Sequence, residues 1–483
     1  MHRFSVYPAG GRPQRPDLNA AHMIGADGVA VRGDVRFVDD VLTCESRAPE
    51  ALGVSLLWPV DDFGCIQLET TRLPARDGAY HLHLELARHR LMRISMKREE
   101  WGLFDYPGMD EISQRIDRAR DLFIRTMQAI ENPVEAARLA DEALSHGLWA
   151  SEMMCELHAS IFLKRRQQSN GFAHPFLGVA CPPESPAAAF KVPLAEVFHF
   201  ARVPFVWRQI QPGEHEACYD EADAVVAACQ KAGLGLHGGP LLNFGVQSVP
   251  DWMYIWENDY EAIVDFVREH VRRTVQRYKG KVDAWVVAGG LHADSVFPFN
   301  FEQIMDLSRL AATTTKQIAP RAKVVLDLTQ PWGEYYARNP RTVPPLLYAE
   351  MVLQSGIPID AFGLQLLFGI DSEGFRMRDL LQVSTLLDRL ANLGKPLHIT
   401  AVGVPSGESS GGVWREAWSE QVQADWTRRV CDIALSKPFV ESVCVNVLAD
   451  GKSESIPHGG VLTDQASPKA VLAQLAELRS RLK

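Results

Sequence analysis

Eight short apolar runs, each followed by a stretch with helical spacing, fill the chain from Phe172 onward, and they limit the possible folds more than any other feature of the sequence. The runs are residues 176–181, 203–207, 234–242, 284–288, 324–328, 361–366, 397–402 and 442–448. Parallel strands need a crossover helix between them, and eight such units in series are what a closed barrel requires. The expected class is therefore α/β, with a (β/α)8 TIM barrel over residues 171–483. The Gly- and Ser-rich residues 405–412 follow the seventh run, at the rim where such barrels carry their binding loops.

The residues before 171 behave differently. From Val29 to about Trp101 apolar and polar residues alternate, most clearly in Tyr80-His81-Leu82-His83-Leu84-Glu85-Leu86 and Met92-Arg93-Ile94-Ser95-Met96. A period of two signals strands, and clusters such as Arg76-Asp77-Gly78 separate the runs as turns. This predicts a β-sandwich-like accessory domain over residues 1–108, acting either as a sugar-binding module or as packing against the barrel. Ile112, Ile116, Ala119, Phe123, Met127 and Ile130 then recur every three or four residues. Asn132-Pro133-Val134-Glu135 supplies a cap, a first-turn proline and an acid for a second helix. A helical hairpin connector over residues 109–170 follows.

A formal net charge of −10 repels phosphate backbones and anionic lipid surfaces, so neither nucleic acid nor a membrane is an expected partner. A carbohydrate or another small neutral ligand fits that balance. The N-terminal residues hold no apolar run long enough for a signal-peptide core or a membrane span, which predicts a cytoplasmic location. The eight cysteines are scattered, without a CxxC pair or a zinc-like spacing. His237, His292, His398 and His458 are too dispersed to suggest a metal, and the Gly238-Gly239 and Gly459-Gly460 pairs lack the setting of a dinucleotide loop. No cofactor and no metal are expected.

Residues 270–285, HVRRTVQRYKGKVDAW, resemble the passage into the fourth strand of family 10 glycoside hydrolases, the xylanases. Further matches come in order: Trp207 with Pro212-Gly213, Pro250-Asp251-Trp252, Ile359 through Gln365, Ile399-Thr400, and Asp450 through Pro468-Lys469-Ala470. The resemblance covers most of the barrel and none of the first 170 residues. It implies a retaining mechanism with two glutamates about 5 Å apart, one as acid/base and one as nucleophile. The positions matching them hold Gly290 and Ala401, and neither side chain can donate a proton or attack an anomeric carbon. The subsite around them also departs from the family: Gly239, Asn243-Phe244 and Leu367 stand where the pattern has histidines and a tryptophan. Arg202-Val203-Pro204-Phe205-Val206 replaces an acidic second-strand wall that keeps only Trp207.

Several polar groups fall near the expected strand ends. His292 and Asp294 lie just beyond Gly290; Asp327 takes the place of a family asparagine; Asp450 matches a family aspartate; and Glu454 replaces a tryptophan. Each is either a relocated acid or base, or a hydrogen-bonded loop group. Trp207, Asn243, Gln365, Trp332 and Trp414 are the candidate substrate-binding residues, and Trp418 is a further indole able to stack on a sugar or to fill core. Three readings follow: a carbohydrate-binding pseudo-glycosidase, an active glycosidase with relocated carboxylates working on a non-xylan glycan, and a structural or assembly protein.

Overall fold

The computed structural model describes residues 1–8, 15–47, 51–451 and 456–483. Eight strands open the described chain: β1 (His2–Ser5), β2 (Asp17–Ile24), β3 (Ala30–Val31), β4 (Asp34–Val38), β5 (Val41–Glu45), β6 (Gly53–Val60), β7 (Gly64–Glu69) and β8 (Tyr80–His81). Three helices follow, α1 (Leu82–Glu100), α2 (Asp110–Gln128) and α3 (Pro133–Gln168). One sheet has the order β4-β5-β1-β8, with β8 parallel to β1. The connector hairpin is present as α2 and α3, and the Asn132 side chain accepts from the Glu135 backbone N–H at the start of α3.

The alternation in residues 80–96 does not make the strands expected of it. Only Tyr80 and His81 pair with β1, and the rest is α1. Leu82, Leu86, Arg90, Ile94 and Lys97 recur at helical spacing and are all buried. The polar residues between them look solvent-facing in the sequence because their partners lie far away. His83 Nδ1 lies 2.8 Å from Asp141 on α3, and Glu85 accepts from the Thr71 hydroxyl. Buried polar groups with partners erase the difference between the faces, so neither period can be read safely.

The barrel consists of β9 (Leu177–Ala180), β10 (Phe200–Val203), β11 (Gly235–Gly238), β12 (Ala284–Gly289), β13 (Lys323–Leu328), β14 (Ala361–Leu367) and β15 (Leu397–Gly403), then, beyond β16 (Val413–Trp414), β17 (Val440–Val445). β9 through β15 with β17 close as eight parallel strands. All eight runs read from the sequence contain or adjoin one of them. The second is displaced: β10 ends at Val203, before Pro204, and Trp207 begins a short helix, Trp207–Ile210. A proline has no N–H to give a ladder, so the strand stops there.

β16 leaves the barrel after the Gly- and Ser-rich loop and pairs antiparallel with β7, giving a second sheet of order β16-β7-β6-β2-β3. That sheet is thus built from both sides of the boundary expected at residue 108. Glu152 of α3 fixes the junction, accepting from Trp414 Nε1 at 3.0 Å, Arg415 Nη2 at 2.8 Å and the Leu380 backbone N–H at 2.9 Å.

Candidate functional site

The interior of the barrel carries a polar cluster near its C-terminal end. Asp327 on β13 is 2% exposed and accepts from the Thr400 hydroxyl on β15 and from Gln365 Nε2 on β14, the latter at 2.7 Å. Burial pushes its carboxyl up from the usual range, against the opposing pull of those two hydrogen bonds and of Arg202. Arg202 on β10 is also buried, and its Nη1 donates to the Gly239 carbonyl at 3.3 Å. Gly363 makes room for this arrangement, because a Cβ there would stand 2.3 Å from Asp327 Oδ1. Both Asp327 oxygens are therefore engaged from within the barrel, one by Thr400 and one by Gln365.

Gly290 and Ala401 both sit at the C-terminal ends of their strands. Gly290 follows β12 directly and has a φ of 77°, a left-handed conformation in which a glutamate would be strained. Ala401 lies opposite Gln365 in the β14–β15 pairing and is 2% exposed. Leu367 and Ile456 pack with it as a separate apolar cluster, backed by Ile370 and Phe375. The position matched to the nucleophile is therefore a dry, apolar surface under Ile456.

The other candidates divide into loop braces and groups at the edge. The His292 ring is fully buried, donates from Nε2 to the Thr329 carbonyl at 3.1 Å and stacks on Tyr348 at 4.9 Å. Burial pushes it down to about 4, so it stays neutral at ordinary pH and is no proton donor there. Asp450 is held by the buried Lys469 ammonium, 2.6 Å away, and accepts from the Gly460 backbone N–H. Asn243 turns its carbonyl onto the Gly245 N–H at 2.8 Å. Asp294 is exposed on the neighbouring loop, and its partly enclosed carboxyl is pushed up by burial. A Cβ on Gly245 would lie near both the Asn243 and the Asp294 side chains, at 3.0 and 3.1 Å, so these two polar groups share one corner of the mouth. Tyr254, 38% exposed, packs 5.9 Å from Phe297 on the loop that carries Asp294. Glu454 lies outside the described residues.

The expected aromatic platform is not formed by the tryptophans proposed for it. Trp207 is 2% exposed and stacks on His270 at 4.5 Å. Trp414 is equally buried against Glu152 and Arg415, and Trp418 bonds to the Gly412 carbonyl in the core. Each occupies packing that a surface reading of its loop does not reveal. Trp332 is half-buried under Arg378 and lines a cavity against α1 whose wall includes neither Asn243 nor Asp294. Among the described residues no group of three His, Cys, Asp or Glu side chains is arranged to hold a metal ion, and no helix is long and apolar enough to cross a membrane.

With this geometry the family comparison becomes decisive, because the profile of glycosyl hydrolase family 10 matches residues 205–456, more than half of the chain. The chain belongs to glycosyl hydrolase family 10. Similar proteins include endo-1,4-beta-xylanase B of Thermotoga neapolitana, 23% identical over 250 residues that cover 49% of this chain and 65% of the relative. Endo-1,4-beta-xylanase C of Paenibacillus barcinonensis is 25% identical over 224 residues, covering 41% of this chain and 20% of the relative. The chain thus spans less than two thirds of either protein. Among solved structures, xylanase 10B of Thermotoga petrophila in complex with xylobiose is similar at 18% identity and a TM-score of 0.49, covering 66% of this chain and 98% of that one.

The pairings of three residues escaped sequence reasoning. Lys469 pairs with Asp450, Ile456 covers Ala401, and Arg202 adds a minor pull on Asp327.

Proposed function

We propose that this family 10 chain binds neutral glycan at the barrel mouth and does not carry out retaining hydrolysis. One observation carries the reading: Ala401, matched to the nucleophile, is buried under Leu367 and Ile456. A retaining cycle needs a carboxylate there to form the glycosyl-enzyme bond, and an apolar contact supplies neither charge nor nucleophile. Binding is supported by the corner where Asn243 and Asp294 approach each other, on a loop whose Phe297 packs against the exposed Tyr254 ring. The relatives named above are xylanases, so xylo-oligosaccharides are the first ligands to test.

A thermal-shift titration with xylohexaose, run alongside release of nitrophenol from an aryl xylobioside, separates the readings. A stabilising shift without turnover, weakened by Tyr254→Ala, supports the binder. A second reading, hydrolysis by relocated carboxylates on another glycan, has Asp294 in its favour, since a carboxyl raised at the mouth suits a general acid. Turnover abolished by Asp294→Asn would establish that reading and end the first. Restoring the acid should fail on structural grounds: Ala401→Glu forces a carboxylate against Leu367 and Ile456 and is expected to cost ~2–5 kcal/mol in urea unfolding without creating turnover. An active, stable Ala401→Glu protein would show that the mouth is open.

A further inference from the structure

A cavity of about 970 Å³ lies between α1, the β2–β3 turn and the barrel helix Leu380–Ala391, and none of Asn243, Asp294, Ala401 and Asp450 lines it. Six arginines and three carboxylates line it, an excess of positive charge in a chain whose net charge is −10. Most of these arginines are already engaged. Arg72 binds Glu69 and the Gly25 carbonyl, Arg90 binds Asp379, Arg88 lies 3.2 Å from Glu85, and Arg76 caps the Tyr80 ring. Arg93 and Arg389 differ: neither guanidinium has a hydrogen-bond or ion-pair partner among the described residues, and both are half-buried. Of the cavity's carboxylates, Glu69 is engaged by Arg72, Glu85 by Thr71 and Arg88, and Asp27 accepts from the Val29 backbone N–H.

Arg389 and Arg72 converge beside Gly28. A Cβ on Gly28 would lie 3.4 Å from Arg389 Nη1 and 3.9 Å from Arg72 Nη2. Burial draws the Arg93 guanidinium down from its ordinary value; the Glu69 carboxylate opposes this, as Glu100 does more weakly, while Arg90 and Arg72 repel it. His89 beside them is pushed down to about 4 by burial and so adds no charge near neutral pH. The Thr385 hydroxyl, also on the cavity wall, is buried with no partner among the described residues. Guanidiniums left unpaired in a half-dry pocket gain most from an anion that accepts their fork of donors. The remaining wall is apolar, with Leu84, Trp332, Leu386 and Leu390, and Met92, Met96 and Ile130 stand 44–53% exposed at the rim. An ion as small as sulfate would leave that surface wet.

We propose that this cavity is a binding site for an amphipathic organic anion, whose acidic head pairs with Arg93 and Arg389 while its apolar body lies along Leu386, Leu390 and the methionine rim. The site is separate from the barrel mouth and owes nothing to the family 10 chemistry. Isothermal titration of the full chain with sodium decanoate, decanol and sodium sulfate tests it. One decanoate should bind per chain, with decanol and sulfate each about tenfold weaker or worse. Arg93→Gln and Arg389→Gln should each weaken decanoate about tenfold, as expected for one lost charged hydrogen-bonding partner, while Arg389→Lys, which keeps the charge, retains most of the affinity. Unchanged thermal midpoints in these variants would tie the loss to binding. Equal affinity for decanol and decanoate, undiminished binding in both glutamine variants, or no decanoate binding would overturn the proposal.

Discussion

At the barrel mouth nearly every charge has an answer: Asp450 holds Lys469, Asp327 takes the Thr400 hydroxyl and the Gln365 amide, and the His292 ring is buried against Tyr348. In the cavity against α1 the balance is the opposite, with Arg93 and Arg389 unpaired and an apolar rim left open. Both regions contain ionisable groups in concave surroundings, so residue type alone does not tell them apart. Commitment does. A group whose hydrogen-bonding capacity is filled from within the fold holds loops in place, whereas one left short of partners in a cavity is available to a ligand.

The comparison can be broken most sharply at Asp450. If it braces the last loop, Asp450→Ala leaves the buried Lys469 ammonium with only the Ser406 hydroxyl and His458 carbonyl as acceptors and should cost ~3–5 kcal/mol in chemical unfolding. A variant as stable as the parent would return Asp450 to the list of free mouth acids. His292 offers the next largest effect, through pH. Its folded-state value of about 4 lies below the ordinary 6.5, so the unfolded chain takes up the proton first. The ring's contribution is then full above about pH 6.5 and is lost as pH falls toward 4, amounting to ~3 kcal/mol over that window. In urea midpoints measured across that range, the advantage of the parent over His292→Phe should shrink as pH falls; a constant difference would mean that the ring is not held neutral. The smallest effect belongs to the cavity. Arg93→Gln and Arg389→Gln should each shift stability by no more than ~0.5 kcal/mol, because no partner is stranded. A large loss in either would expose a structural role and make the two regions alike.

The barrel was legible because parallel strands covered on both faces must be apolar throughout, so β12, β13, β14 and β15 stand out as runs bounded by turn residues. The hairpin α2–α3 was legible for a similar reason, since Ile112, Ile116 and Ala119 keep a helical stripe and Asn132 marks a start. α1 was not, because His83 and Glu85 are buried with distant partners and imitate an alternating strand. β16 was missed because a two-residue strand pairing with β7, some 350 residues back, leaves no local pattern. Within the site, the glycine at 290 and the alanine at 401 were visible, but the burial of Trp207 and Trp414 was not, since an indole in a loop looks the same whether it faces sugar or a glutamate.

Sequence by itself determined the order of the elements, the (β/α)8 class and the membership in family 10, because these rest on local periodicity and on motifs read in succession. The tertiary structure alone decided which charges are spent and which are free. Ion pairs such as Asp450–Lys469 and apolar contacts such as Ala401–Ile456 join residues that share no local pattern, and the strength of each depends on how much water the rest of the fold removes from around it.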